Sequence, residues 1–186
     1  MLIAVRRENT PGENRVAATP QTVEAFIGRG CEVVVEPSAG TAAGIPDSAF
    51  VDAGARVSGE IGDADLLLIV GPPGPDLLTG LRDGMAVAGF LNPLGNPELI
   101  DTMARRNITA IAVETIPRTT LAQSMDALSS QATAAGYAAV LLAASTTPRF
   151  FPMLVTAAGT VPPAMVLILC VGVAGLQAIA TARRLG

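Results

Sequence analysis

Residues 64–70, Ala-Asp-Leu-Leu-Leu-Ile-Val, form a nearly unbroken apolar run that Pro72 and Pro73 stop. A strand with one wet face alternates apolar and polar side chains, so a run without that alternation reads as a strand buried on both faces. Such a strand demands a covering layer on each side. Residues 1–5, 31–35, 85–90 and 108–113 repeat the device as four more short apolar or β-branched runs. Between them lie crossovers. Thr19 is placed to cap a helix with Pro20 at its first position, and Gly28 or Gly30 ends it. A Gly-rich loop through Gly40 and Gly44 leads into a short helix over 47–53, Asp83-Gly84 makes a turn, and Asn96-Pro97 caps a helix reaching about Arg106. Strands alternating with helical or looped crossovers predict an α/β lobe: a mostly parallel sheet with helices on its faces, ending near Ile116-Pro117.

Beyond Pro117 the texture changes. From Arg118 to Tyr137 the chain begins polar and becomes wholly apolar over 137–144. This predicts one long connector helix, wet at one end and buried at the other. Thr120 and Gln123 fit a capping box, Leu121, Met125, Leu128 and Ala132 share one helical face, and Gln123, Asp126 and Ser130 share another. After the connector, 165–169 reads as a strand, 170–175 as a turn and 174–185 as a helix. The expected division is therefore 1–117, a first lobe; 118–147, the connector helix; and 148–186, the start of a second lobe that one strand and one helix cannot complete.

Charge and composition remove several function classes. Aromatics make up 3% of the residues and the net charge is −4, which argues against a nucleic-acid partner. All 12 basic residues are arginine, with no lysine and no histidine. This chain alone therefore carries no Schiff-base chemistry, no lysine acid and no histidine-based acid, base or metal scheme. Cys31 and Cys170 lie in apolar runs without metal-ligand spacing and read as buried free thiols. Residues 150–182 carry no charge, and 164–182 is long enough to span a bilayer, although Gly172, Gly175 and the prolines at 152, 162 and 163 interrupt the wider window.

The stretch Val-Leu-Ile-Leu-Cys170-Val-Gly172-Val-Ala-Gly175-Leu-Gln-Ala feeds a strand into a helix with the spacing of the dinucleotide fingerprint G-x-G-x-x-G, with Cys170 in place of the first glycine. Gly172 would admit a pyrophosphate to the backbone, Gly175 would let helix and strand pack closely, and the helix N-terminus would attract the phosphate. A Cβ at position 170 would be strained by roughly 1–2 kcal/mol if the turn needed a left-handed residue there. Taken alone, the motif fits a structural β-turn-α equally well.

Longer motifs are more specific. Thr-Pro-Gly-Glu-Asn-Arg-Val-Ala-Ala-Thr-Pro (10–20), Phe-Leu-Asn-Pro-Leu (90–94), Ala-Gln-Ser-Met-Asp-Ala-Leu-Ser-Ser-Gln (122–131), Ala-Gly-Tyr (135–137), the segment 150–164 and the segment 172–186 resemble the NAD(H)-binding alpha subunit of proton-translocating nicotinamide nucleotide transhydrogenase, in the alanine dehydrogenase/transhydrogenase superfamily. The resemblance covers essentially the whole chain and about the first half of the family's NAD(H)-binding component. It implies a Rossmann-like (flavodoxin-like) first lobe, the connector helix, and the first β-α unit of a second Rossmann lobe, with NAD(H) between lobes. It further implies direct hydride transfer to or from NADP(H) on a partner component, membrane and NADP-binding components as partners, a homodimer of the NAD-binding component, and a location on the cytoplasmic side, peripheral to the membrane. By family pattern Arg118, Gln123, Asp126 and Ser129 surround the nicotinamide end, and Gly172, Val173, Ala174 and Gly175 lie under the pyrophosphate. No catalytic side chain and no metal ligand is implied.

Alanine dehydrogenase is similar in the Gly-Glu-x-Arg-Val-Ala segment, but it needs a lysine and a histidine in segments similar to those around Gly71 and Asn92. Amino-acid oxidation moves protons, whereas hydride transfer between two nicotinamides does not, so the residues present favour the transhydrogenase branch. Arg15 matches a substrate-carboxylate ligand in the dehydrogenase branch and reads here as a loop-ordering residue. Leu121, Met165, Cys170 and Gly71 depart from the transhydrogenase pattern, where Arg, Lys, Gly and a basic residue are expected. A non-catalytic remnant or a subunit-interaction module is the alternative these departures leave open.

Overall fold

A computed structural model describes residues 1–61 and 63–186. Its contacts divide the chain into two compact units, Met1–Ile116 and Pro117–Gly186. The first unit is built on β1 (Leu2–Val5), α1 (Pro20–Ile27), β2 (Glu32–Val35), α2 (Asp47–Asp52), β3 (Arg56–Val57), β4 (Leu66–Leu68), α3 (Pro75–Gly80), β5 (Ala86–Gly89), α4 (Pro97–Arg105) and β6 (Thr109–Ala112). The six strands form one sheet in the order β3-β2-β1-β4-β5-β6, every pairing parallel, with Ile3 opposite both Val33 and Leu66. The expected Rossmann-like α/β sheet is what the chain forms.

Both faces of the central strands are apolar, and each face has its own core. Ile3, Val5, Val33 and Val35 point to one side, where they meet Val23 of α1 and Phe50 of α2. Ala4, Val34, Leu67 and Val87 point to the other, where Met85, Leu91 and Met103 of α4 cover them. Phe50 and Met103 are wholly buried, and each such side chain contributes roughly 1.5–3 kcal/mol from its burial. The period-two alternation inside uninterrupted apolar runs thus serves two covering layers at once.

Local chemistry explains where elements begin. The Thr19 hydroxyl accepts a hydrogen bond from Thr22 N at 3.3 Å, which caps α1 as expected. Asn96 does not cap α4; its side chain instead donates to Leu91 O at 3.2 Å, and Pro97, which lacks an N–H, begins the helix without a side-chain cap. The edge strand β3 and the short helix α3 stand in stretches for which no element is predicted from the sequence.

The second unit contains α5 (Ala127–Thr146), a hairpin of β7 (Leu154–Thr156) and β8 (Gly159–Val161), and α6 (Val173–Leu185). Its small core joins Val140 of α5, Phe151 and Ala178 of α6, with Ala144, Ala164, Ile168, Ala182 and Leu185 packed around them. Four expectations are corrected here. The continuous helix from Thr120 is instead a 3-10 segment, Thr120–Met125, followed by α5. The Thr120–Gln123 capping box is not formed, because Asp126 provides the stronger cap one turn later. The dry end of the connector is largely exposed: only Gly136 and Val140 of α5 are buried, while Tyr137 and Leu142 are open, as are Leu121, Met125 and Leu128 of the expected apolar face. Residues 165–169 form no strand, because a strand needs a neighbour and β7 and β8 pair only with each other among the described residues.

Residues 164–182 are not one helix. Helical structure begins only at Val173, and the segment before it carries no helical turns. Among the described residues, the helix long and apolar enough to cross a membrane by length and composition is α5.

Candidate functional site

Every residue singled out for cofactor contact falls within the second unit, one group before and at the start of α5 and the other at the start of α6. At the start of α5 the Asp126 carboxylate accepts from Ser129 N at 2.8 Å and from the Ser129 hydroxyl at 2.6 Å. These bonds satisfy one of the four orphan N–H groups of the helix and fix Ser129 toward its cap. The Ser129 hydroxyl, then the Ser129 N–H and the charge of Arg118 hold the Asp126 carboxyl below its ordinary value, so it stays ionised at neutral pH. Arg118 and Gln123 are exposed. The structure therefore brings Arg118, Asp126 and Ser129 into one electrostatic cluster, and it leaves Gln123 on the surface of the adjoining 3-10 turn.

The second group is the glycine turn. Gly172 is the N-cap of α6 in an extended conformation, and no side chain caps the helix. A Cβ at Gly172 would meet only Cys170 Sγ, at 3.7 Å, so the approach to this backbone is open. Gly175 is different: a Cβ there would stand 2.0 Å from Cys170 O, which leaves no room for any other residue. Gly172 and Val173 are exposed, Ala174 is half-buried and Gly175 is buried. The turn thus offers uncapped helix N–H groups at an accessible helix N-terminus, a chemistry suited to a phosphate.

Gly136, which enters the sequence reading only within the Ala-Gly-Tyr motif and not as a contact residue, packs against the start of α6. A Cβ on it would lie 2.1 Å from Ala174 O and 2.9 Å from Ala174 C, so only glycine lets α5 run against the turn. The available signal was a glycine inside a helical pattern, which costs about 1 kcal/mol relative to alanine and calls for a packing reason. At 1.5 Å per residue, roughly 15 Å of α5 separates the Asp126 cap from this crossing point.

Three further readings change. Cys170 is exposed and Cys31 half-buried, so neither is the buried thiol expected; both are free. Cys170 is also not strained, since the non-glycine residues with positive φ among those described are Ser38, Asn92 and Asn107. The turn does not need a left-handed residue at that position. In the first unit, the Arg15 guanidinium binds Glu13 through 2.8 and 2.6 Å contacts and lies 5.7 Å over the Phe90 ring. That pairing orders its own loop. At the remaining departures, Leu121 and Met165 are almost fully exposed, and Gly71 lies beside the Glu8 carboxylate.

A six-stranded parallel sheet with helices on both faces, followed by a helix and a glycine turn at a second helix N-terminus, defines an α/β protein of Rossmann-like type. Within that type, the chain belongs to the alanine dehydrogenase/PNT family: the family's N-terminal domain matches residues 4–135 and its C-terminal domain matches residues 139–186. It is 46% identical to an NAD(P) transhydrogenase subunit alpha polypeptide of Rhodospirillum rubrum, over 100% of this chain and 51% of that protein. It superposes on the crystal structure of transhydrogenase from Sinorhizobium meliloti with a TM-score of 0.98 and 46% identity, covering 100% of this chain and 57% of that one. An L-alanine dehydrogenase structure matches with a TM-score of 0.84 and 29% identity, covering 100% and 53%. The chain spans about half the length of these relatives.

Proposed function

We propose that this chain is the first portion of the NAD(H)-binding component of a proton-translocating transhydrogenase. Bound NAD(H) supplies or accepts the hydride exchanged with NADP(H) on a partner component. The chain's own residues bind and orient. The N–H groups at the start of α6, reached across Gly172 and Val173 and backed by Ala174 and Gly175, take the pyrophosphate. Arg118, Gln123, Asp126 and Ser129 take the nicotinamide end, with Gln123 offering both a donor and an acceptor to a carboxamide and Arg118 held in orientation by Asp126. The observation that carries the reading is the open, uncapped N-terminus of α6 at Gly172, next to which Gly175 lies against Cys170 O and Ala174 against Gly136. The roughly 15 Å of helix between the two groups suits an extended ligand with two polar ends. The chain has neither the lysine nor the histidine that the resemblance assigns to proton movement in the alanine dehydrogenase branch, with Gly71 and Asn92 in the similar segments.

The same reading makes the chain dependent on more polypeptide. Met165, Leu167, Leu169 and Val171 are each at least 80% exposed in a segment without strand partners, a surface that further strands of a second lobe would cover. The partners are then the membrane and NADP-binding components and a second NAD-binding subunit, with the assembly on the cytoplasmic face, peripheral to the membrane. The same exposed surface favours a second reading, a subunit-interaction module without activity. Titration of NADH, followed by its fluorescence, separates the two when a polypeptide equivalent to the second half of the Rhodospirillum rubrum relative is supplied. Saturable binding supports the cofactor site. Association of the two polypeptides without NADH binding supports the interaction module and overturns the first reading.

A further inference from the structure

The first unit has its own switch-point crevice, and a side chain of the chain itself meets the backbone donors there. In an open parallel sheet, ligands sit in the crevice outside the carboxyl ends of the strands where the strand order reverses. Here the reversal lies between β1 and β4, since the chain runs outward from β1 to β2 and β3 on one side and from β4 to β5 and β6 on the other. A cleft of about 390 Å³ opens at that end, with Arg6, Glu8, Thr10, Gly71 and Pro73 among its walls. Val70 N donates to Glu8 Oε1 at 2.6 Å, and Gly71 N makes a longer contact with Glu8 Oε2 at 3.4 Å. Two consecutive backbone N–H groups facing one carboxylate are the arrangement by which loops hold anions. The carboxylate in this case comes from the loop after β1, where a dinucleotide-binding lobe would carry glycines instead.

We infer that Glu8 is a built-in anionic ligand that occupies the switch-point anion position of the first sheet and so closes it to external phosphates and carboxylates. The consequence is that Val70 N and Gly71 N are not free to take an external anion while Glu8 holds them. The inference stands independently of the cofactor reading above, because its probes are inorganic phosphate and formate and its site lies in the other unit.

The test uses the full chain and the variants Glu8→Ala and Glu8→Gln. For Glu8→Ala the Tm falls by roughly 5 °C, and sodium formate or phosphate raises it again by several degrees more than sodium chloride at equal ionic strength. The unaltered chain shows no such preference. Amide exchange at Val70 and Gly71 quickens about tenfold in Glu8→Ala and slows again with formate. Should Glu8→Ala fail to fold, Glu8→Gln, which retains one acceptor, still shows faster exchange at Gly71. An unchanged Tm in Glu8→Ala, equal responses to formate and chloride, or native exchange at Gly71 in Glu8→Gln would each overturn the inference.

Discussion

Gly136→Ala sets two rules of helix stability against each other. Helix propensity alone favours the alanine by about 1 kcal/mol, since glycine in a helix interior is the poorer former. The structure predicts the opposite sign. The new Cβ would stand 2.1 Å from Ala174 O and 3.0 Å from Ala174 Cα, where ordinary contact begins near 3.4 Å, so α5 and the glycine turn must separate by about 1.3 Å. The obstacle is backbone on both sides, which cannot swing away as a long side chain can. Overpacking of this kind costs roughly 1–3 kcal/mol, and a rigid obstacle places it near the top of that range. The net expectation is a loss of about 2 kcal/mol after the propensity gain. The chain has one tyrosine, Tyr137, and no tryptophan, so tyrosine fluorescence during urea unfolding reports on α5 itself. The transition midpoint should fall by about 1 M urea. A Gly136→Ala chain as stable as the parent, or more stable, would refute the claim that Gly136 exists to admit the turn.

The Asp126 carboxyl is held below its ordinary value of 3.8 by its bonds to Ser129. A depressed folded value stabilises the folded state above the unfolded value, and that stability is lost as pH falls through the lowered one. Acid unfolding of α5 should therefore begin below about pH 3.8, and Asp126→Asn should flatten that limb, as followed by helical circular dichroism between pH 2 and 6. Glu13, lowered by its hydrogen bonds with Arg15, contributes in the same direction in the first unit, and Arg15→Ala should restore its ordinary titration, measurable by carboxyl NMR shifts. Cys170 is exposed and Cys31 half-buried, so iodoacetamide should label Cys170 first, and equal rates in a peptide map would contradict the placement of the turn.

The first sheet was legible because its strands are buried on both faces, and an apolar run stopped by Pro72-Pro73 has few other uses. β3 escaped because Arg56–Val57 is a two-residue edge with no apolar signature of its own. The start of α5 was misplaced for a local reason: Thr120-x-x-Gln123 and Asp126-x-x-Ser129 are both acceptable caps on paper. The winner is the charged carboxylate that takes two donors from Ser129. The hydroxyl of Thr120 offers less, and the residues it would have started form a 3-10 turn. Gly172 and Gly175 were readable from spacing, but Gly136 was not, because its reason is an atom 38 residues away. Non-local contacts of this type leave only an oddity in the sequence, here a glycine where a helix would prefer alanine.

The two units treat the same structural opportunity in opposite ways, and a single substitution can convert one into the other. At Gly71 the backbone N–H is met by Glu8. At Gly172 the N–H is met only by Cys170 Sγ, at 3.4 Å, and residues 150–182 contain no acidic side chain that could take its place. Cys170 is exposed and has an ordinary φ, so Cys170→Asp introduces a carboxylate of similar size at little cost to folding. That carboxylate would accept from Gly172 N in the manner of Glu8, and its charge would oppose a pyrophosphate at the start of α6. NADH binding by the chain together with the second-half polypeptide should weaken at least tenfold, equivalent to about 1.4 kcal/mol. Cys170→Ser, which matches the size without the charge, should leave it within a factor of about two. If Cys170→Asp binds NADH as well as Cys170→Ser does, the pyrophosphate does not sit at Gly172, and the contrast between a filled and an open anion position no longer distinguishes the two units.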